Sequence, residues 1–103
     1  MNIKLLRFKS VKSTNDVALK LIQKKNTRST IIVSEMQTHG RGTRGKKWIS
    51  QKGNLFISIF FEMNQKNIDF KHFAILNAYL LKNIFTNHLS KKIKIKWPND
   101  LLY

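Results

Sequence analysis

The sequence predicts an α+β fold, a mixed β-sheet packed by helices. Three observations carry it: apolar runs at residues 30–36 and 54–61, a strictly alternating run at 92–97, and two stretches, 13–25 and 69–84, whose apolar residues recur at helical spacing. Residues 3–8, Ile-Lys-Leu-Leu-Arg-Phe, read as the first strand. Ser13-Thr-Asn-Asp16 then has the capping pattern that opens a helix, which runs to about residue 25 with Val17, Ala18, Leu21 and Ile22 on one face. The β-branched run Thr-Ile-Ile-Val at 30–33 leads a second strand into a glycine-rich loop at 39–47. Residues 54–61 are apolar on both alternating sets, Leu55/Ile57/Ile59/Phe61 and Phe56/Phe60, which predicts a central strand covered on both faces. Asp69 caps a second helix with Phe70, Phe73, Ala74, Asn77, Leu81 and Ile84 along the stripe expected to pack on the sheet. In residues 92–97, Ile93, Ile95 and Trp97 alternate with Lys92, Lys94 and Lys96, and Pro98 ends the strand. Leu101-Leu-Tyr103 begins another strand and the sequence stops within it, so the expectation is a domain cut short. Without a repeat, a low-complexity tract or a Pro/Gly/Ser linker, one unit is expected.

Composition bounds the function classes. A chain of 103 residues with 42% hydrophobic content has the core formers for one small domain. The absence of cysteine excludes disulfides, cysteine-ligated zinc and thiolate nucleophiles, and fits a reducing compartment, with the cytoplasm expected. The apolar run at 55–61 is far too short to span a bilayer and the N-terminus lacks a signal-peptide core, so no membrane partner is expected. Twenty Lys and Arg against five Asp and Glu leave a formal charge of +15, which suits a polyanionic partner. The lysines are scattered rather than blocked and accompany abundant Asn and Ile. That pattern favours a general lysine bias over a nucleic-acid footprint. His39, His72 and His88 form no metal-ligand spacing.

Two constellations carry chemistry. In Gln37-Thr-His-Gly-Arg-Gly-Thr-Arg-Gly-Lys-Lys-Trp48, three glycines alternate with Arg41, Arg44, Lys46 and Lys47. Glycine lets a backbone approach a ligand and aim its N–H groups inward, while the cations supply charge-assisted donors to phosphate oxygens. The order of residues is not that of a P-loop, and the glycines precede no helix as a dinucleotide fingerprint would require. On spacing alone a flexible basic turn or an RGG-like nucleic-acid segment stays equally open. The second constellation, Lys96-Trp-Pro-Asn-Asp100, closes a strand, where open sheets commonly bind ligands. Asn99 and Asp100 there suit a ribose hydroxyl, an amine or phosphate-bound Mg²⁺, or act simply as turn formers.

Taken together and in this order, the motifs closely resemble the catalytic domain of biotin protein ligases. The resemblance runs through Ser13-Thr14-Asn15, Gln37-x-x-Gly-Arg-Gly-x-Arg-Gly-Lys-x-Trp48, Gly53-Asn-Leu-Phe-Ile-Ser58 and Lys96-Trp-Pro-Asn-Asp100, nearly the whole chain. It implies a class II synthetase-like biotin/lipoate ligase fold and ATP-dependent formation of biotinyl-AMP, followed by transfer of biotin to a lysine of a biotin carboxyl-carrier protein. It also implies roles for particular residues. Ser13, Thr14, Asn15 and Gln37 would meet biotin, and Gly40, Arg41, Gly42 and Thr43 would wrap its carboxylate and the adenylate phosphate in a loop that orders on binding. Arg44, Lys46 and Trp48 would contact ATP, with Trp48 as ordinary core an open alternative. Lys96, Asn99 and Asp100 would lie at the ATP phosphates, Asp100 also at Mg²⁺, with Arg41 and Lys96 as the catalytic cations. Thr43 stands where many family members carry a third arginine, so weaker retention of the adenylate is expected. The family's K-x-x-G-I-L segment, with its essential lysine, would follow beyond Tyr103, so residues 1–103 are expected to form a partial catalytic domain that a C-terminal fragment would complement. Rival readings are a lipoate or octanoate ligase and a small basic nucleic-acid-binding protein.

Overall fold

In a computed structural model, which describes residues 2–26, 28–63, 69–89, 92–96 and 100–102, the elements are β1 (Lys4–Val11), α1 (Thr14–Gln23), β2 (Thr30–Gln37), β3 (Phe56–Phe60), α2 (Phe70–His88), β4 (Lys94–Lys96) and β5 (Asp100–Leu102). They group into two compact units, Met1–Met63 and Asn64–Tyr103, across a boundary that no proline or glycine marks.

In the first unit the sheet order is β1-β2-β3, with β1 parallel and β3 antiparallel to β2, so the expected mixed sheet is present. Parallel neighbours need a crossover, and α1 supplies it. Ser13 is its N-cap, accepting from the Asp16 N–H at 3.4 Å, as the capping pattern predicts. The helix ends in a Schellman arrangement: Asn26 N–H donates to Leu21 C=O (3.1 Å) and Lys25 N–H to Ile22 C=O (2.9 Å), with Lys25 at φ 59°.

One sheet face carries Thr30, Ile32 and Ser34 of β2, all buried, with Ser58 of β3 in register beside Ile32. Helix α1 lies on this face: its Ala18 is buried and its Thr14 hydroxyl meets the Ser58 hydroxyl at 2.8 Å. Complete burial of Ile32 stabilises the unit by about 1.5–3 kcal/mol. The buried hydroxyls find local acceptors, Thr30 Oγ1 donating to Arg28 C=O and Ser34 Oγ to Met36 C=O, each at 2.7 Å.

The strand at 54–61 departs from expectation. Within the described sheet β3 is an edge, not the centre, and Ile59 is 56% exposed on the face turned away from α1. Two-sided apolarity cannot say which strand takes the middle, because order depends on which partners pair; here β2 pairs with both neighbours.

In the second unit, α2 packs against β4 and β5, which form an antiparallel pair with Lys96 opposite Asp100. Ile93 is buried, and Lys92, Lys94 and Lys96 are exposed, following the predicted alternation; Trp97 and Pro98 lie outside the described residues. The stripe on α2 is shifted from the predicted one: Ala78 is buried, whereas Asn77, Leu81 and Ile84 are exposed. Leu76, Tyr79, Leu80, Leu81, Ile84 and Phe85 make this part of the helix apolar nearly all round, so spacing alone does not choose the buried face.

Candidate active site

The candidate residues of the first unit converge at the carboxyl ends of the parallel strands β1 and β2, where open sheets commonly place ligands. Past the strands the two chains stay tied: Thr38 N–H donates to Val11 C=O (3.0 Å) and His39 N–H to Lys12 C=O (2.8 Å). This brings Ser13, Thr14 and Asn15 at the start of α1 alongside Gln37 and Gly40. The amino end of α1 carries partial positive charge and N–H groups without intrahelical partners.

Gln37 takes up one of those donors. Its Oε1 accepts from Thr14 N–H at 2.7 Å and its Nε2 donates to Ser50 Oγ at 3.1 Å. Ser13 and Thr14 are buried and Asn15 is exposed.

Residues 40–48 form a small closed hairpin. Trp48 N–H donates to Gly40 C=O (2.8 Å), Gly42 N–H to Lys46 C=O (2.6 Å) and Lys46 N–H to Thr43 C=O (3.2 Å). At its tip Arg44 (φ 58°) and Gly45 (φ 71°) supply the paired positive φ angles of a type I′ turn. Three N–H groups of this stretch therefore serve the hairpin itself. Its outward chemistry lies mainly in its side chains: Arg41, Arg44, Lys46 and Lys47 are all exposed. Thr43 is exposed at the turn. Trp48 is 61% exposed.

Gly40 is required for a different reason than ligand approach. A Cβ there would stand 2.4 Å from Ser50 Oγ and 2.8 Å from Trp48 O, so the hairpin base admits no side chain. The Arg41 guanidinium pairs with the carboxylate of Asp16 in the first turn of α1.

Lys96 and Asp100 belong to the second unit, opposite one another across β4 and β5 and both exposed; Asn99 lies outside the described residues. Among the described residues no three His, Cys, Asp or Glu side chains gather into a metal site. Nor is any described helix long and apolar enough to cross a membrane.

Ser50, Ser58 and the Asp16–Arg41 pair are the site features that sequence reasoning left without a role. Ser58 belongs to the Gly53–Ser58 motif of the resemblance, but Ser50 has no signal for its role, because the Gln37 side chain that it meets lies 13 positions away.

The biotin/lipoate A/B protein ligase family model matches residues 7–103. The chain is 33% identical over 70 residues to the bifunctional ligase/repressor BirA of Escherichia coli (strain K12), a match that covers 67% of this chain and 22% of BirA. The biotin acetyl coenzyme A carboxylase synthetase of Helicobacter pylori, solved with bound biotinylated ATP, is similar with a TM-score of 0.83 at 26% identity, covering 98% of this chain and 49% of that one. The biotin protein ligase of Aquifex aeolicus, solved with biotin and ATP, gives 0.79 at 29%, covering 97% and 41%. The chain thus spans about a fifth of the length of BirA and under half of each solved chain. The class II synthetase-like α+β fold expected from the motifs is the fold these neighbours share with it. By family match and by fold, the chain belongs to the biotin/lipoate A/B protein ligase family.

Proposed function

We propose that this chain recognises biotin and stabilises negative charge in an ATP-dependent biotin–protein ligase reaction. The biotin carboxylate attacks the α-phosphorus of ATP, releasing pyrophosphate and forming biotinyl-AMP. A lysine amine of a biotin carboxyl-carrier protein then attacks the acyl carbon, losing a proton and expelling AMP. The observation that carries the proposal is the carboxyl-end cluster, in which the Gln37 carboxamide lies at the base of a hairpin bearing exposed Arg41, Arg44 and Lys46. In this reading Gln37, with Ser13, Thr14 and Asn15 around it, holds the ureido ring. Gly40, Arg41, Gly42 and Thr43 border the carboxylate and α-phosphate. Arg44, Lys46 and the exposed Trp48 ring take the nucleotide, and Lys96, Asn99 and Asp100 take the phosphates, Asp100 with Mg²⁺. Cations placed where charge develops lower the barrier without any covalent enzyme intermediate. The compartment is the cytoplasm, and a complementing polypeptide would cover apolar surface such as Leu5, Ile57 and Ile59 on the sheet of the first unit.

Equilibrium binding of labelled biotin, competed by lipoate, tests the proposal. Saturable biotin binding that lipoate does not displace, and that Gln37→Ala weakens about tenfold through the loss of a hydrogen-bonded contact, is the expected result. Preference for lipoate, or binding of nucleic acid with a steep salt slope and none of biotin, overturns it.

A further inference from the structure

We propose that Ser50 is a positioning residue for the acyl substrate, steadying the Gln37 carboxamide in the orientation that the Thr14 N–H sets, so that it offers one N–H and one carbonyl lone pair to a ureido group. The inference rests on the assignment of Gln37 to biotin.

The orientation follows from donor and acceptor chemistry. The first residue of α1, Thr14, has a backbone N–H with no intrahelical partner, and such a group only donates. It lies 2.7 Å from Gln37 Oε1, so the oxygen must face it; a flipped carboxamide would set two donors against each other. Nε2 is thereby turned to Ser50 Oγ, 3.1 Å away. The Ser50 hydroxyl has to accept there, and its own proton is directed to the Trp48 carbonyl, 3.4 Å away. Ser50 is only 6% exposed, so this hydroxyl is committed within the fold. A carboxamide has two N–H donors and two carbonyl lone pairs. One of each is used internally, which leaves one of each. That remaining pair complements the N–H and C=O of a cyclic urea, whereas an acid bearing only a hydrocarbon or disulfide ring gives it nothing to bind.

Biotin and ATP binding are measured separately on the full chain and on Ser50→Ala, Gln37→Ala and the double variant, alongside the Gln37 side-chain amide resonances. Ser50→Ala should lower biotin affinity about 3- to 10-fold, the worth of one net hydrogen bond, and leave ATP affinity unchanged. It should also shift the hydrogen-bonded Nε2 proton toward the position of a free amide. The double variant should be no worse than Gln37→Ala alone, because Ser50 acts through Gln37. Equal losses of biotin and ATP binding, or additive losses in the double variant, overturn the inference in favour of a general packing role. If Gln37→Ala leaves biotin affinity intact, the assignment of Gln37 falls, and the positioning role with it. A loss in Gln37→Ala with none in Ser50→Ala sinks only the positioning role. Should Ser50→Ala lose its folded circular-dichroism signal, Ser50→Cys, close in volume and a weaker acceptor, provides the same comparison.

Discussion

Replacing Gly40 with alanine should destabilise the first unit severely, although the new group is a single methyl. A Cβ at residue 40 would lie 2.4 Å from Ser50 Oγ, 2.8 Å from Trp48 O and 3.1 Å from Gln37 Nε2. Ser50 can rotate away only by giving up its bond to Gln37, a net loss of about 0.5–1.5 kcal/mol. The Trp48 carbonyl is backbone, and the peptide just before it is held by the Trp48 N–H to Gly40 C=O bond at 2.8 Å, so relieving that contact strains the hairpin base; overpacking of this kind costs about 1–3 kcal/mol. The sum is about 1.5–4.5 kcal/mol, a large share of the stability of any small domain. For a chain of this size it corresponds to a fall in melting temperature of about 10 °C or more. Gly42 is the control. A Cβ there would meet Trp48 Cε3 at 3.5 Å and Lys46 O at 3.6 Å, ordinary contact distances, and the residue sits at φ −90°. Gly42→Ala should therefore be neutral or stabilising by about 0.4–1 kcal/mol, through the lower entropy of the unfolded chain. Thermal and urea unfolding of the two variants decide the matter. Equal stability of Gly40→Ala and Gly42→Ala would refute the packing argument, as would a Gly40→Ala cost that Ser50→Ala abolishes entirely, since the clash with Trp48 O should persist.

Lys25 occupies the left-handed position that closes α1 with φ 59°, and Lys25→Gly should raise stability by about 0.5–1 kcal/mol, seen as a higher urea midpoint at unchanged slope; Lys25→Ala should give no such gain. Asp16→Asn removes the carboxylate that now engages Arg41. Because exposed ion pairs contribute at most about 1 kcal/mol, stability should change little, while ATP affinity should rise up to about fivefold as Arg41 no longer has to leave an anion. Weaker ATP binding in that variant would show that Asp16 holds Arg41 ready for the nucleotide instead of competing with it.

Much of the local structure was readable in the amino-acid order because the forces that set it are local. The Ser13 cap, the alternation of Ile93 with Lys92 and Lys94, and the β-branched run of β2 each depend on residues within a few positions of one another, and the structure follows them. The motifs around Gly40, Arg41 and Gly42 and at Lys96 and Asp100 likewise disclosed the family. What spacing alone did not contain was the choice among equivalent faces and partners. Strand β3 is apolar on both sides, and α2 over residues 76–85 is apolar nearly all round, so only pairing with β2 and packing against β4 and β5 determined which residues were buried. The reason for Gly40, the fixed orientation of Gln37 and the pairing of Arg41 with Asp16 join residues as far as 25 positions apart. Such contacts exist only after the parallel strands have brought their carboxyl ends together, since a hydrogen bond is specified by the meeting of a donor and an acceptor in space. The sequence by itself determined the elements and the chemistry on offer; the tertiary structure decided which groups serve the fold and which remain for a ligand.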